Sequence, residues 1–98
     1  MANGQIRMTP ETMRTRAAQT DKQSETVQNV IKAMDRLLLA LKSEWEGEAM
    51  RGYEERYNKI KPSFQNAKEL LDEIAHNLRE SARVIEEIDR NIGSQYKK

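Results

Sequence analysis

The sequence predicts an all-α protein: an antiparallel helix-turn-helix hairpin that associates with a second subunit. Two observations carry the hairpin. Apolar residues recur in alternating steps of four and three along both halves of the chain, and a short glycine-bearing stretch divides the halves. A third observation carries the pairing. One hairpin of 98 residues without cysteine buries little surface and has no disulfide to staple it. The whole chain reads as one domain: helix 1 over 10–42, a turn over 43–48, helix 2 over 49–92, and flexible ends at 1–8 and 94–98.

The first arm has a clear start. Thr9 can cap a free backbone N–H, Pro10 at the first helical position forfeits no hydrogen bond, and Glu11 suits the positive end of the helix dipole. From there a seam runs through Met13, Ala17, Thr20, Ser24, Val27, Ile31, Met34, Leu38 and Leu41, and the next step lands on Trp45. Its first half is small or polar. Its second half is aliphatic, and the row Val30, Ala33, Leu37 and Ala40 widens it. A wide stripe can serve two neighbours, so residues 27–45 are expected to touch both the other arm and a second subunit.

Glu44-Trp45-Glu46-Gly47-Glu48 reads as the turn. Gly47 can take a backbone conformation that other residues resist. A short connection makes its flanking helices antiparallel neighbours. Trp45, the one tryptophan, is expected to plug the end of the groove between the arms, which is worth about a few kcal/mol if buried. Its other reading is a recognition residue with its indole N–H free; the two readings are compatible.

The second arm carries Tyr53, Tyr57, Ile60, Phe64, Ala67, Leu71, Ile74, Leu78, Ser81, Ile85, Ile88 and Ile92 at the same alternation. Pro62 falls inside it and predicts a kink or short break with the phase kept. Glu55 with Lys59 and Glu86 with Arg90 stand four apart in the favourable order. Gly93-Ser94 reads as the helix stop. Arms of about 30 to 45 residues at about 1.5 Å each make a rod of about 45–65 Å.

The chemistry-bearing residues are few. Basic and acidic residues, 17 and 16, leave a net charge of +1 and are interleaved, so no strong field attracts nucleic acid or an anionic membrane. Arg14, Arg16 and Lys22 stand beside Asp21, and Lys59, Lys61 and Lys68 lie between Glu55 and Glu69, which makes a poor nucleic-acid footprint. His76 is the lone histidine, off the seam near Asp72, with no second histidine or cysteine to complete a metal or catalytic set. No Gly-rich phosphate loop or activated nucleophile is recognisable. The reading is therefore not an enzyme, with no cofactor and no metal. No apolar run is long enough to span a bilayer, and the first residues lack the apolar core of a signal peptide. The stripe at 27–45 could lie on a membrane, but the opposite faces lack a basic bias, so no stable insertion is expected.

Trp45-Glu46-Gly47, central in a chain of this length between two heptad arms, resembles the WXG family of small proteins exported by type VII (ESX) secretion systems, and is most similar to the EsxA-type members of Gram-positive bacteria. Near the C-terminus Ile85, Asp89, Ile92 and Tyr96 match that branch's pattern of hydrophobic, acidic and hydrophobic positions. The actinobacterial export motif, a tyrosine with an acidic residue four positions on, is absent: Tyr53 is followed by Tyr57, Tyr57 by Lys61, and Tyr96 has no room. The resemblance implies a hairpin that dimerises into an elongated four-helix bundle, a homodimer synthesised in the cytoplasm and exported folded without a cleaved signal peptide, as a virulence factor or effector. It implies recognition by the ATPase and channel of the secretion system. The signal would be assembled from two chains, with Trp45 and Gly47 of one beside the C-terminal segment of the other. The dimer and core seam would comprise Val27, Ile31, Met34, Leu38, Leu41, Tyr53, Tyr57, Phe64, Leu71, Ile74, Leu78 and Ile85. An intracellular helical adaptor or chaperone-like partner for another helical protein would use the same seams without export.

Overall fold

The computed structural model describes residues 7–96, with side-chain surroundings up to residue 93. Two helices make up that span: α1, Pro10–Glu44, and α2, Glu48–Tyr96. They lie side by side in an elongated hairpin of 77 × 28 × 14 Å. The expected flexible ends fall partly on residues 1–6 and 97–98, which lie outside the described residues.

The start of α1 follows from its cap. The Thr12 N–H donates to Thr9 Oγ1 at 3.1 Å, and the Met13 N–H donates to the Thr9 carbonyl at 2.9 Å. At the other end Trp45 leaves the helix in an extended conformation, while its N–H still reaches the Leu41 carbonyl at 2.8 Å. Glu46 and Gly47 then reverse the chain. Gly47 sits at φ +136°, where a side chain is strained, and its carbonyl accepts the Arg51 N–H at 3.2 Å to open α2.

Helix α2 is longer than the sequence suggested, at 49 residues. It runs through Gly93-Ser94 to Tyr96 instead of stopping there. A single glycine costs a helix only about 1 kcal/mol, and no proline follows to end it. Pro62 does not interrupt the helix either. Pro62 and Asn58, whose carbonyl loses its helical donor, are both exposed, so water can satisfy the freed group. The expected pairs Glu55–Lys59 and Glu86–Arg90 do not close. Glu86 turns to Arg14 on the other arm.

The core between the arms changes character along the rod. At the end away from the turn it is built from small residues: Ala17, Ser24, Ala75 and Ala82 are buried, with Met13 beside them. Towards the turn, Ile31, Tyr57 and Met50 replace them. On α2 the line facing α1 is therefore Met50, Tyr57, Leu71, Ala75, Leu78, Ala82 and Ile85, with Glu54, Lys61 and Lys68 half-buried along it. This line is rotated from the predicted seam. Tyr57, Leu71, Leu78 and Ile85 belong to both, whereas Tyr53, Ile60, Ala67, Ile74, Ser81, Ile88 and Ile92 stay exposed.

Candidate functional site

The rotation gives the hairpin two unlike faces. On one face, polar groups bridge the arms almost from end to end. Arg14 clasps Glu86 with both terminal nitrogens, and Arg79 Nη2 meets Asp21 Oδ2 at 2.6 Å. The Ser24 hydroxyl donates to Asp72, which also receives Lys68 Nζ at 2.7 Å. Lys61 reaches Asp35 at 3.1 Å, and Lys42 reaches Glu54 at 3.2 Å. The pattern has a sequence cause: Arg14, Asp21, Asp35 and Lys42 sit at multiples of seven, so they share one row of α1 beside the apolar seam.

Tyr57 ties this face to the core. Its buried hydroxyl stands 2.9 Å from Asp35 Oδ1 and 3.2 Å from the Ile31 carbonyl oxygen. Burial, then the hydrogen bond to Asp35, push the phenol up to about 12. The same hydrogen bond, followed by that from Lys61, holds the Asp35 carboxyl below its ordinary value. Asp72 is lowered by Lys68 and then Ser24, and Glu86 by Arg14.

The other face has no such bridges among the described residues. Near the turn it forms an open apolar groove of about 500 Å³, lined by Met34, Leu37, Leu41, Trp45, Tyr53, Ile60 and Phe64 among others. Trp45 is 44% exposed, so it is not the buried plug the sequence suggested. It forms the groove's turn-end wall, with its ring 6.0 Å from that of Tyr53 and tilted by 52°. Its position follows from the turn: leaving the helix at residue 45 swings the indole out of the space between the arms.

The predicted site residues fall into three groups. Val27, Met34, Leu38, Leu41, Leu71, Leu78 and Ile85 are half-buried between the arms, and Ile31 and Tyr57 are buried. Tyr53, Phe64 and Ile74 stand exposed on the apolar face. Asp89 and Ile92 are exposed near the end of α2, far along the same chain from Trp45 and Gly47. Tyr96 closes α2 by its backbone, and its side chain is outside the described ones. One hairpin thus keeps the two halves of the predicted signal at opposite ends.

Exposed Leu70 and Val84 were missed by the sequence reading. They sit fourteen residues apart on one row, a signal that only a three-row count on α2 would have caught. Leu39, the most exposed large apolar residue among the described ones, lies towards the polar face; nothing in the structure explains it. His76 is exposed. Among the described residues no cluster of His, Cys, Asp or Glu could hold a metal ion, and no helix is long and apolar enough to cross a membrane.

The comparisons with known proteins agree with this architecture. The family described as "Proteins of 100 residues with WXG" matches residues 5–90. Protein YukE of Bacillus subtilis is 35% identical over 92 residues, covering 94% of this chain and 95% of that one. Type VII secretion system extracellular protein A of Staphylococcus aureus is 24% identical over 91 residues, covering 93% and 94%. Crystalline EsxA of Geobacillus thermodenitrificans superposes with a TM-score of 0.86 at 35% identity, covering 94% of this chain and 98% of that one. A point mutant of secreted EsxB of Bacillus anthracis, at 20% identity and a TM-score of 0.78, covering 91% of this chain and 99% of that one, shares the fold. With a family match over nearly its whole length, a relative more than one-third identical and the Trp45-Glu46-Gly47 turn between two helices, this chain belongs to the WXG100 family.

Proposed function

We propose that this protein is an extracellular substrate of a type VII secretion system, exported as a folded homodimer. The observation that carries the reading is the unbridged apolar face, with Trp45 half-exposed at its turn end. A face of this kind in water needs a cover, and association is the remaining means for a small chain without cysteine. A second hairpin laid antiparallel on it brings each turn to the other chain's helix ends. Trp45 and Gly47 of one copy then stand near Ile85, Asp89, Ile92 and Tyr96 of the other. The recognition surface for the secretion ATPase and channel is complete only in the pair. Outside the cell the protein would act as an effector or virulence factor; the Staphylococcus aureus relative, a type VII secretion system extracellular protein, supports the extracellular destination.

The test is export from cells that carry the secretion locus, with Trp45→Ala beside the wild type. The variant is expected to fold and dimerise normally and to stay in the cell pellet. Equal export of both would remove Trp45 from the signal. Wild-type protein found only in the lysate would favour an intracellular adaptor instead.

A further inference from the structure

The row that carries Leu70 also carries a lone charge. Arg56, Ser63, Leu70, Asn77 and Val84 are spaced by seven along α2. Leu70 is 57% exposed and Val84 43% exposed. Arg56 lines the apolar groove beside Tyr53 and Ile60. Among the described residues it has no ion pair, although Arg14, Lys42, Lys61 and Arg79 on the other face all do.

Leu70 also marks the middle of the rod. Asp21 stands opposite Arg79 and Asp35 opposite Lys61, which puts Gln28 level with Leu70 near the centre of both arms. An antiparallel copy related by a twofold axis through that point lays α2 on α2. Leu70 then meets Leu70, Ser63 meets Asn77, and Arg56 meets Val84, because the row reads symmetrically about its centre. One turn to either side of Val84 are Glu80 and Glu87, both exposed and, among the described residues, both paired only with Arg83 of their own chain, at 3.0 Å each. A second open groove lies at this place, lined by Asn77, Glu80, Ser81, Val84 and Ile85. It lies about as far from the centre as the Arg56 groove does, on the other side.

We propose that Arg56 is the residue by which the apolar face selects its cover: its guanidinium is received by Glu80 and Glu87 of a second copy. The inference rests on the homodimer reading and sharpens it. A guanidinium covered by an apolar surface must find a carboxylate, or the cover is rejected. The twofold arrangement supplies one at both ends of the interface. A different helical chain lacking acids at the matching positions would leave Arg56 unpaired.

The experiment is sedimentation equilibrium on the full chain. Wild type is expected to dimerise. Arg56→Glu, which faces two carboxylates in the pair, is expected to weaken the dimer at least about tenfold at two symmetric sites. Adding Glu80→Lys and Glu87→Lys to Arg56→Glu is expected to restore dimerisation to within about threefold of wild type. Circular dichroism checks that helix content is unchanged. Should the reversed charge reduce it, Arg56→Gln takes its place and is expected to weaken the dimer severalfold. A wild-type dimer indifferent to Arg56 substitution, or a triple variant as weak as the single, overturns this pairing while leaving the homodimer intact. A monomeric wild type overturns the homodimer reading itself.

Discussion

The two faces of the hairpin are made by the same two helices and obey opposite rules. On the polar face, nearly every charge finds its complement across the arms within the chain, from Arg14–Glu86 at one end to Lys42–Glu54 at the other. On the apolar face, Tyr53, Ile60, Phe64, Leu70 and Ile74 find none. The contrast separates two tasks. Directional hydrogen bonds and ion pairs fix which residue of α1 stands opposite which residue of α2. Non-directional apolar area is left over to hold whatever covers it. A lone hairpin therefore has a defined register and an incomplete surface.

The largest expected effect comes from breaking the apolar face. Ile60 is 49% exposed in the hairpin, so about half of its surface is left for a cover. Under a second copy it would be buried. Ile60→Asp removes that remaining burial, worth about 1 kcal/mol in each copy, and places a carboxylate under the cover at further cost. The dimer is expected to weaken at least about a hundredfold by sedimentation, while the far-ultraviolet spectrum stays helical. An undisturbed dimer would mean that this face is not the one covered.

Tyr57 joins the two faces and gives a smaller, more local effect. Tyr57→Phe removes the bond to Asp35 and is expected to lower hairpin stability by about 1 kcal/mol. It also changes the pH response. The folded phenol is pushed up to about 12 from 10.0, so the neutral form is favoured in the hairpin. The sign follows: its stabilising contribution is complete below pH 10.0 and is lost as pH rises towards about 12. Thermal melts across that window should fall faster for wild type than for Tyr57→Phe. Parallel curves would show that the buried hydroxyl does not report on folding.

The sequence revealed the hairpin because its signals are local and repeated. The Thr9 cap, the four-three seam of α1 and the glycine at residue 47 each act within a few residues of themselves. The site was legible in part, for a physical reason. A heptad count finds the apolar rows but not the angle between neighbouring helices, and that angle is set by contacts between the arms. Ala75 and Ala82, lying one row to the side of the predicted seam, draw α2 round towards Ala17 and Ser24, because small residues allow close approach. Tyr53, Ile60, Ile74 and Ile88 are then carried outward. The end of α2 was misread for the converse reason: Gly93 is only a weak breaker when nothing after it demands a turn. The partner of Glu86 was misread because a salt bridge across the arms competes with one along the helix, and sequence spacing sees only the second.

The smallest expected effect belongs to any single rung of the polar face. Arg79 and Asp21 are both close to half-exposed, and water screens such a pair. Arg79→Ala is expected to lower the melting temperature by no more than about 3 °C, and less in high salt. The rungs act together instead. The carboxyls of Asp35, Asp72 and Glu86 are all held below their ordinary values of 3.8, 3.8 and 4.5. Depressed carboxyls stabilise the hairpin above those values, and the contribution is lost as pH falls through the lowered ones. Melts between about pH 5 and pH 2 should therefore show a gradual decline for wild type that a single rung variant barely alters. A collapse of the hairpin on losing Arg79 alone would invert the comparison: one exposed pair, and not the shared core of Ala17, Ala75 and Ala82, would then be what holds the arms together.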